Sequence, residues 1–194
     1  LLRLFFTISP EGGLALSGFG WLMFIAPLIM VFAFGWVVNR GTIQQVQLMF
    51  WGYSSLMGVS LAPIFLVYTG ASISRVFLIT SATFGALSLY GYTTKKDLSG
   101  WGSFLIMGVI GLIIASIVNI FMKSSGLDYA LSYLTVFIFA GLTAYDTQTL
   151  KSLYYANGVH PDAQTKGAIV GALSLYLDFI NMFLALLRLM GDRR

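Results

Sequence analysis

The 194-residue sequence contains no cysteine and a single histidine. The lack of cysteine excludes disulfides, thiolate catalysis and metal sites with cysteine ligands. His160 alone cannot build a histidine-based zinc or haem site. Charged residues are also scarce, at 9% of the chain, against about 25% in an ordinary soluble domain. These shortages exclude a typical soluble enzyme, a disordered tail and a nucleic-acid-binding module, and we expect no cofactor.

Apolar residues are correspondingly abundant, since 58% of the chain is hydrophobic and the mean hydropathy is +0.86. Stretches of about 20 apolar residues are long enough for a helix to cross the hydrocarbon core. Six such stretches are visible, at residues 18–38, 46–68, 73–92, 101–122, 129–150 and 168–190. The sequence therefore predicts an all-α, polytopic transmembrane helix bundle that forms a single transmembrane domain over residues 1–194.

The connections between these stretches are short, except for residues 151–167, which we predict to be an irregular loop. Lysine and arginine are more frequent in alternate connections, which contain Arg40, Lys95, Lys96, Lys151 and Lys166. Positive loops face the cytoplasm, so we expect these connections on the cytoplasmic side, although the arginines at the end of the chain favour the opposite orientation.

Small residues recur four positions apart within the stretches, as in Ser54 with Gly58, Ser81 with Gly85, and Gly167 with Gly171. This spacing lets helix backbones approach closely in lipid. Proline occurs inside the first two stretches, where it removes a backbone hydrogen bond and can kink a helix. We expect a closely packed bundle with kinks at these prolines.

Only two of the seven acidic residues fall inside apolar stretches, namely Asp146 and Asp178. An ionised carboxylate near the middle of the membrane is costly unless it is protonated, paired or hydrated. Asp178 shares one helical face with the other polar residues of the last stretch, so we expect a polar stripe that faces the bundle interior. Its members are Ser174, Asp178, Asn181, Ala185 and Arg188.

Asp146 lies within about one turn of the predicted end of its stretch, where the helix dipole disfavours negative charge. A cationic partner is expected, and the alternating topology places Arg40 at the same membrane face. Asp146 and Asp178 can meet if the polar stripe faces the preceding helix. Two carboxylates in a poorly hydrated site cannot both ionise cheaply, so the pair would respond to physiological pH. The alternative is two separate hydrogen-bonded carboxylates that fix helix packing.

Sequence blocks around both aspartates resemble the Bax-inhibitor family of membrane proteins, in its bacterial form. The blocks are AYDTQ at residues 144–148 and LSLYLDFIN at 173–181. Further matches are LAPI at 61–64, TGASI at 69–73, FGALSLYGY at 84–92 and KKDLS at 95–99. The order of these blocks is kept over nearly the whole chain.

The resemblance implies a bundle of seven helices with the last helix central, so that one family helix would precede Leu1. It also implies a multi-pass protein of the bacterial inner membrane that acts as a pH-sensitive calcium leak channel. Asp146 and Asp178 would form the pH-sensing pair and bind calcium transiently. Arg40 would act as the latch. The expected partners are the bilayer and calcium or protons.

Two other functions remain open at this point. One alternative is a regulatory interaction protein that restrains a membrane protease or a cell-death partner without transporting ions. An intramembrane aspartyl protease would also need two aspartates on neighbouring helices. The chain lacks the Gly-x-Gly-Asp and Pro-Ala-Leu blocks of such proteases, so we expect no enzymatic activity.

Overall fold

The computed structural model describes residues 6–8, 14–156 and 161–194, most of which are helical. Glu11 and His160 lie outside these ranges. The chain starts with an antiparallel hairpin of β1 (Phe6–Ile8) and β2 (Leu14–Leu16). The helices that follow are α1 (Gly18–Arg40), α2 (Ile43–Ser60), α3 (Ile64–Val67), α4 (Gly70–Thr93), α5 (Ser99–Met122), α6 (Ser125–Ala156) and α7 (Pro161–Met190).

Six helical spans within the described residues are long and apolar enough to cross a membrane, with α2 and α3 counted together as one span. The predicted all-α polytopic transmembrane architecture is therefore confirmed. Large apolar side chains such as Phe32 and Phe121, both 82% exposed, contact the bilayer. The two short strands were not predicted from the sequence.

The irregular loop predicted at residues 151–167 is wrong. Helix α6 continues to Ala156 and α7 already begins at Pro161, so both helices extend into the segment. Hydropathy marks where the membrane ends, whereas these polar turns continue as helix outside it. Proline is favoured at the first position of a helix, where its missing N–H has no intrahelical acceptor.

The second predicted stretch is interrupted instead of continuous. Helix α2 ends at Ser60 and α3 begins at Ile64, directly after Pro63, which cannot donate a backbone hydrogen bond. Pro27, in contrast, lies inside α1 without ending it. At the other end of α2, Thr42 and Gln45 form a reciprocal capping box, which satisfies two free N–H groups of the first turn.

The chain divides into two compact units, Leu1–Val67 with Arg194, and Tyr68–Arg193. In the first unit α1 packs against α2, where the Ser60 hydroxyl donates to the Met23 carbonyl at 2.5 Å. Near the middle of this pair, a side chain at Gly52 would meet Met30. The single domain expected for residues 1–194 stays a prediction.

The second unit consists of α4 to α7. Helix α7 packs against α4 through aromatic rings, with the Phe179 centroid 5.6 Å from Phe77 and 5.5 Å from Phe84. It packs against α6 where Leu150 lies over Gly171. We call the end with the α4–α5 connection the loop end, and the end with the α5–α6 connection and residues 191–193 the tail end.

Of the glycines that the spacing suggested, Gly171 makes a tight contact, with Leu150 of α6, and other tight contacts occur at glycines that the spacing did not suggest. A side chain at Gly91 would meet the backbone of Ala144, and one at Gly102 would meet the ring of Tyr145. Among the described residues nothing lies within 4 Å of such a side chain at Gly58, Gly85 or Gly167. The tight contacts at Gly91 and Gly102 therefore join α6 to α4 and α5 near the loop end.

Replacing Gly91 with alanine should loosen the contact of α4 with α6. The new methyl group would press on the Ala144 backbone, which cannot rotate away, and overpacking of this kind costs about 1–3 kcal/mol. Gly85→Ala is the matched control on the same helix, since its methyl group meets open space and gains helix propensity. Thermal unfolding in detergent should show a lower Tm for Gly91→Ala than for Gly85→Ala, and equal values would contradict the contact.

Candidate ion-gating site

Asp178 is the acidic side chain that the structure buries most deeply among the described residues, with 3% of it exposed. It lies well inside α7, far from either helix end. Its Oδ2 atom is fully buried and has no hydrogen-bond partner among the described residues. An acid inside a membrane-spanning helix marks a functional site by default, so Asp178 is the centre of the candidate site.

Several polar side chains of α6 and α7 donate to carbonyls of their own helices. Asn181 donates to the Leu177 carbonyl at 2.8 Å. On α6, the Thr143 hydroxyl donates to the Phe139 carbonyl at 2.8 Å, and Thr147 donates to the Thr143 carbonyl at 2.7 Å. The hydroxyl hydrogens of both threonines are therefore used within α6.

Asp146 lies on the neighbouring helix α6 and is half-buried. Leu150, which packs on Gly171, fixes the relative depth of the two helices. Asp146 lies about one turn from the Leu150–Gly171 contact, and Asp178 lies about two turns from it. Both lie on the same side of this contact along the bundle, so their depths differ by roughly 5 Å. The negative charge of Asp146 acts on Asp178. The structure thus brings the two carboxyl groups into electrostatic range, while their gating and calcium-binding roles stay predictions.

The argument that Asp146 needs a cation at a helix end is wrong. Helix α6 runs on to Ala156, which places Asp146 almost three turns before the end. The helix dipole acts within the last turn, so it does not bear on this carboxylate. The polar residues after Leu150 continue the helix although they are too hydrophilic to mark a membrane span.

Arg40, the predicted latch, is the last residue of α1 and is exposed. Its guanidinium carbon lies 5.6 Å from the centroid of the Trp36 ring, one turn earlier. Cation–π contacts at exposed sites are worth about 0.5–1 kcal/mol. Arg40 belongs to the first unit and the aspartates to the second, so its latch role stays a prediction.

The polar stripe predicted on the last helix changes character along its length. Asp178 and Ala185 are buried, Ser174 and Asn181 are half-buried, and Arg188 is exposed at the tail end. Buried residues of α7 also point in other directions, since Ile180, Met182 and Leu187 are each 7% exposed or less. The helix is therefore packed on several sides, and Arg188 lies apart from the buried acid.

A polar clamp closes the loop end close to Asp146. The Gln148 side chain accepts from the Leu98 N–H at 2.8 Å and donates to the Lys96 carbonyl at 2.8 Å. One turn later, Lys151 donates to the Tyr92 carbonyl at 2.8 Å, with its ammonium nitrogen 4.7 Å from the centre of the Tyr92 ring. These bonds tie the α4–α5 connection to the helix that bears Asp146.

The α4–α5 connection also bears a fixed charge at Asp97. Its Oδ1 atom accepts from the Ser99 N–H at 2.9 Å. Hydrogen bonds from the Ser99 side chain and backbone lower the pKa of Asp97 below its ordinary value. Because the carboxylate form is favoured, this exposed residue stays ionised at neutral pH and protonates only when the pH falls below the usual range.

Comparison with known proteins agrees with the architecture. The family model described as "Inhibitor of apoptosis-promoting Bax1" matches residues 3–194. The chain belongs to the Bax-inhibitor family. Similar proteins include an uncharacterised protein of Rickettsia prowazekii, 49% identical over 92% of this chain and 75% of that protein. The inner membrane protein YbhL of Escherichia coli K12 is 47% identical, over 89% of this chain and 74% of YbhL.

For this member of the Bax-inhibitor family, the structure adds residues that the sequence did not single out. Ser88 on α4 has a fully buried hydroxyl oxygen without a hydrogen-bond partner among the described residues. Gln148 was noticed only as part of a family block. The N–H that donates to Gln148 lies 50 residues away and the carbonyl that accepts from it lies 52 residues away, and no spacing rule locates partners at such separations.

The clamp predicts that Gln148→Ala frees the α4–α5 connection. Two hydrogen bonds are lost, each worth about 0.5–1.5 kcal/mol, so the Leu98 amide should exchange with solvent about tenfold faster. Hydrogen–deuterium exchange in nanodiscs measures this. Gln148→Glu keeps an acceptor for the Leu98 N–H and should retain more protection. Gln164→Ala, which removes one exposed bond of 3.3 Å, is the control, and equal exchange in all variants would argue against the clamp.

Proposed function

We propose that this Bax-inhibitor family protein is a pH-sensitive calcium leak channel of the bacterial inner membrane. Asp146 and Asp178 form its pH-sensing pair, and Arg40 acts as its latch. The protein works as a passive pathway and not as an enzyme. The single observation that carries the proposal is the buried Oδ2 atom of Asp178, which has no hydrogen-bond partner among the described residues.

Only a few conditions stabilise a buried carboxyl group at this position. Inside a membrane an acid must be protonated, hydrated or paired with a cation. The nearby charge is a second carboxylate, Asp146, which disfavours ionisation of both groups at once. Protons and cations are therefore the species that change the energy of the pair most, and this supports a gate that responds to both.

Calcium suits the proposed site as a passing ion. Ca²⁺ takes six to eight oxygen ligands at a tight site, and two carboxylates supply fewer than that. A channel site must bind an ion strongly enough to admit it and weakly enough to release it. An incomplete set of oxygen ligands meets both requirements, so Asp146 and Asp178 serve as a transient calcium site on the pathway.

The proposed cycle links proton exchange to opening. When the two carboxylates share a proton, or when Arg40 pairs with Asp146, the pathway is closed. A change in that protonation releases the latch, α1 moves, and the carboxylate oxygens become available to the cation. The latch assignment comes from the family resemblance, and the inner-membrane location rests on the name of the relative YbhL.

Replacing Asp178 with asparagine should flatten the pH dependence of calcium flux. The amide keeps the shape of the side chain but cannot exchange a proton, so the pair loses its joint titration. Flux of calcium into proteoliposomes, read with an enclosed indicator on either side of neutral pH, should differ severalfold in the unmodified protein and little in Asp178→Asn.

Asp162→Asn is the matched control, because Asp162 is an exposed acid in the first turn of the same helix. Its pH profile should equal that of the unmodified protein. An unchanged profile in Asp178→Asn would refute the gate. A protein without any flux, which instead retains a membrane protein during purification, would favour the regulatory interaction function.

The latch predicts a leak when Arg40 is replaced. Arg40→Gln removes the charge that would hold Asp146, and loss of a charge-assisted bond of about 1.5–3 kcal/mol should raise calcium flux under closed conditions about tenfold or more. Lys95→Gln removes one charge from another connection and should leave the flux unchanged. If both variants leak equally, the effect is one of surface charge and not of a latch.

A further inference from the structure

A polar cavity of about 450 Å³ opens at the tail end of the second unit, away from the aspartate pair. Arg188 at the end of α7 and Arg193 of the tail both line it. The first turns of α6 contribute Ser125, Ser132 and the carboxylate of Asp128, and two tyrosines complete the lining. The family description assigns no role to this cavity, and the proposed gate does not involve it.

The tail that contains Arg193 is fixed in place by its neighbour Asp192. The Asp192 N–H donates to the Ser72 hydroxyl at 2.9 Å, and the Asp192 carbonyl accepts from the Thr69 N–H at 3.1 Å. The Asp192 carboxylate pairs with Arg75 at 2.6 Å. Arg193 itself forms an antiparallel bridge with Tyr68. These contacts hold the base of Arg193 against the start of α4 and the two residues before it.

These contacts leave the two cavity arginines without a carboxylate. The Asp192 carboxylate is already paired with Arg75, and the Asp128 carboxylate accepts from the Asn119 amide at 2.7 Å. Neither Arg188 nor Arg193 forms an ion pair with a described residue. Two arginines and one aspartate give the lining a net charge of +1, so an anion would complete it.

The position of the cavity selects the kind of anion. Helices α6 and α7 span the membrane, so the residues where α6 begins and α7 ends lie at the level of the lipid headgroups. Guanidinium groups bind phosphate in a bidentate manner. The Ser125 hydroxyl lines the cavity as a further polar group, whereas the Ser132 hydroxyl already donates to the Asp128 carbonyl at 2.8 Å. A cavity of about 450 Å³ has room for a headgroup phosphate.

We propose that this cavity binds a phosphate group, which Arg188 and Arg193 hold, and that a phospholipid of the adjoining leaflet supplies it. The bound phosphate supplies the missing countercharge and joins the end of α7 to the tail. The site is separate from the aspartate pair, and its test does not depend on calcium flux.

Native mass spectrometry of the full chain, stripped of lipid and then titrated, tests the proposal. Phosphatidylglycerol should bind with one tight site, whereas diacylglycerol, which has the same chains and no phosphate, should bind at least tenfold more weakly. Glycerol 3-phosphate distinguishes the source, because binding as tight as that of the lipid would indicate a soluble phosphate ester as the ligand of the same site. Arg188→Gln and Arg193→Gln should each weaken phosphatidylglycerol binding about tenfold, as expected for loss of a charge-assisted bond.

Lys123→Gln is the matched control, since Lys123 caps α5 at the same end of the unit but does not line the cavity. It should bind phosphatidylglycerol like the unmodified protein. Arg188→Lys tests geometry, because it keeps the charge and loses the bidentate fork, and it should bind with intermediate strength. Equal losses in Lys123→Gln and the arginine variants, or equal binding of phosphatidylglycerol and diacylglycerol, would overturn the site.

Discussion

A carboxyl group inside a membrane helix, with one oxygen that has no hydrogen-bond partner among the described residues, is the constraint on which the second unit depends. Several polar side chains of α6 and α7 donate to carbonyls of their own helices, and Asp178 is buried to 3% exposure. The charge that acts on it is a second acid, Asp146. A protein core that served packing alone would replace such a pair with apolar side chains at no loss of stability. The proposed gate gives this otherwise costly arrangement a use.

The surroundings of the pair divide the unit into a close-packed middle and two polar ends. Near Asp146, backbone contacts at Gly91 and Gly102 leave little room for independent movement of α4, α5 and α6. The loop end is closed by side-chain bonds to backbone carbonyls and amides, chiefly those of Gln148. The tail end is closed by the exposed ion pair of Arg75 with Asp192 and by hydrogen bonds of the Asp192 backbone to Ser72 and Thr69. Water and salt weaken the ion pair, whereas the hydrogen bonds are less sensitive to salt.

Sequence reasoning located the two acids because carboxylates are scarce and their surroundings apolar, so burial could be inferred from composition. The membrane-spanning segments were predicted from the same signal, the apolar composition of the chain. Helix ends were not, since the polar turns beyond Leu150 and before Gly167 carry no hydropathy signal. The spacing of Gly85 from Ser81 suggested a contact that the structure places at Gly91 instead, because the direction of a helix face is set by its neighbours.

Contacts over long separations were beyond prediction for a different reason. Arg75 and Asp192 are 117 residues apart, and their pairing depends on the antiparallel packing of α4 and α7. In the sequence, Arg75 stands near the start of one apolar stretch and Asp192 follows the end of the last one. Only the folded unit shows that each neutralises the other, and that Arg193 is left as a surplus charge.

The length of α6 has a mechanical consequence. At 32 residues the helix is about 48 Å long, whereas the hydrocarbon layer is about 30 Å thick. An unbroken rod thus runs from the depth of Asp146 into the aqueous layer, where Tyr154 and Tyr155 are exposed. Because the helix is continuous from Asp146 to Tyr155, a tilt of α6 at the acid would also displace those tyrosines.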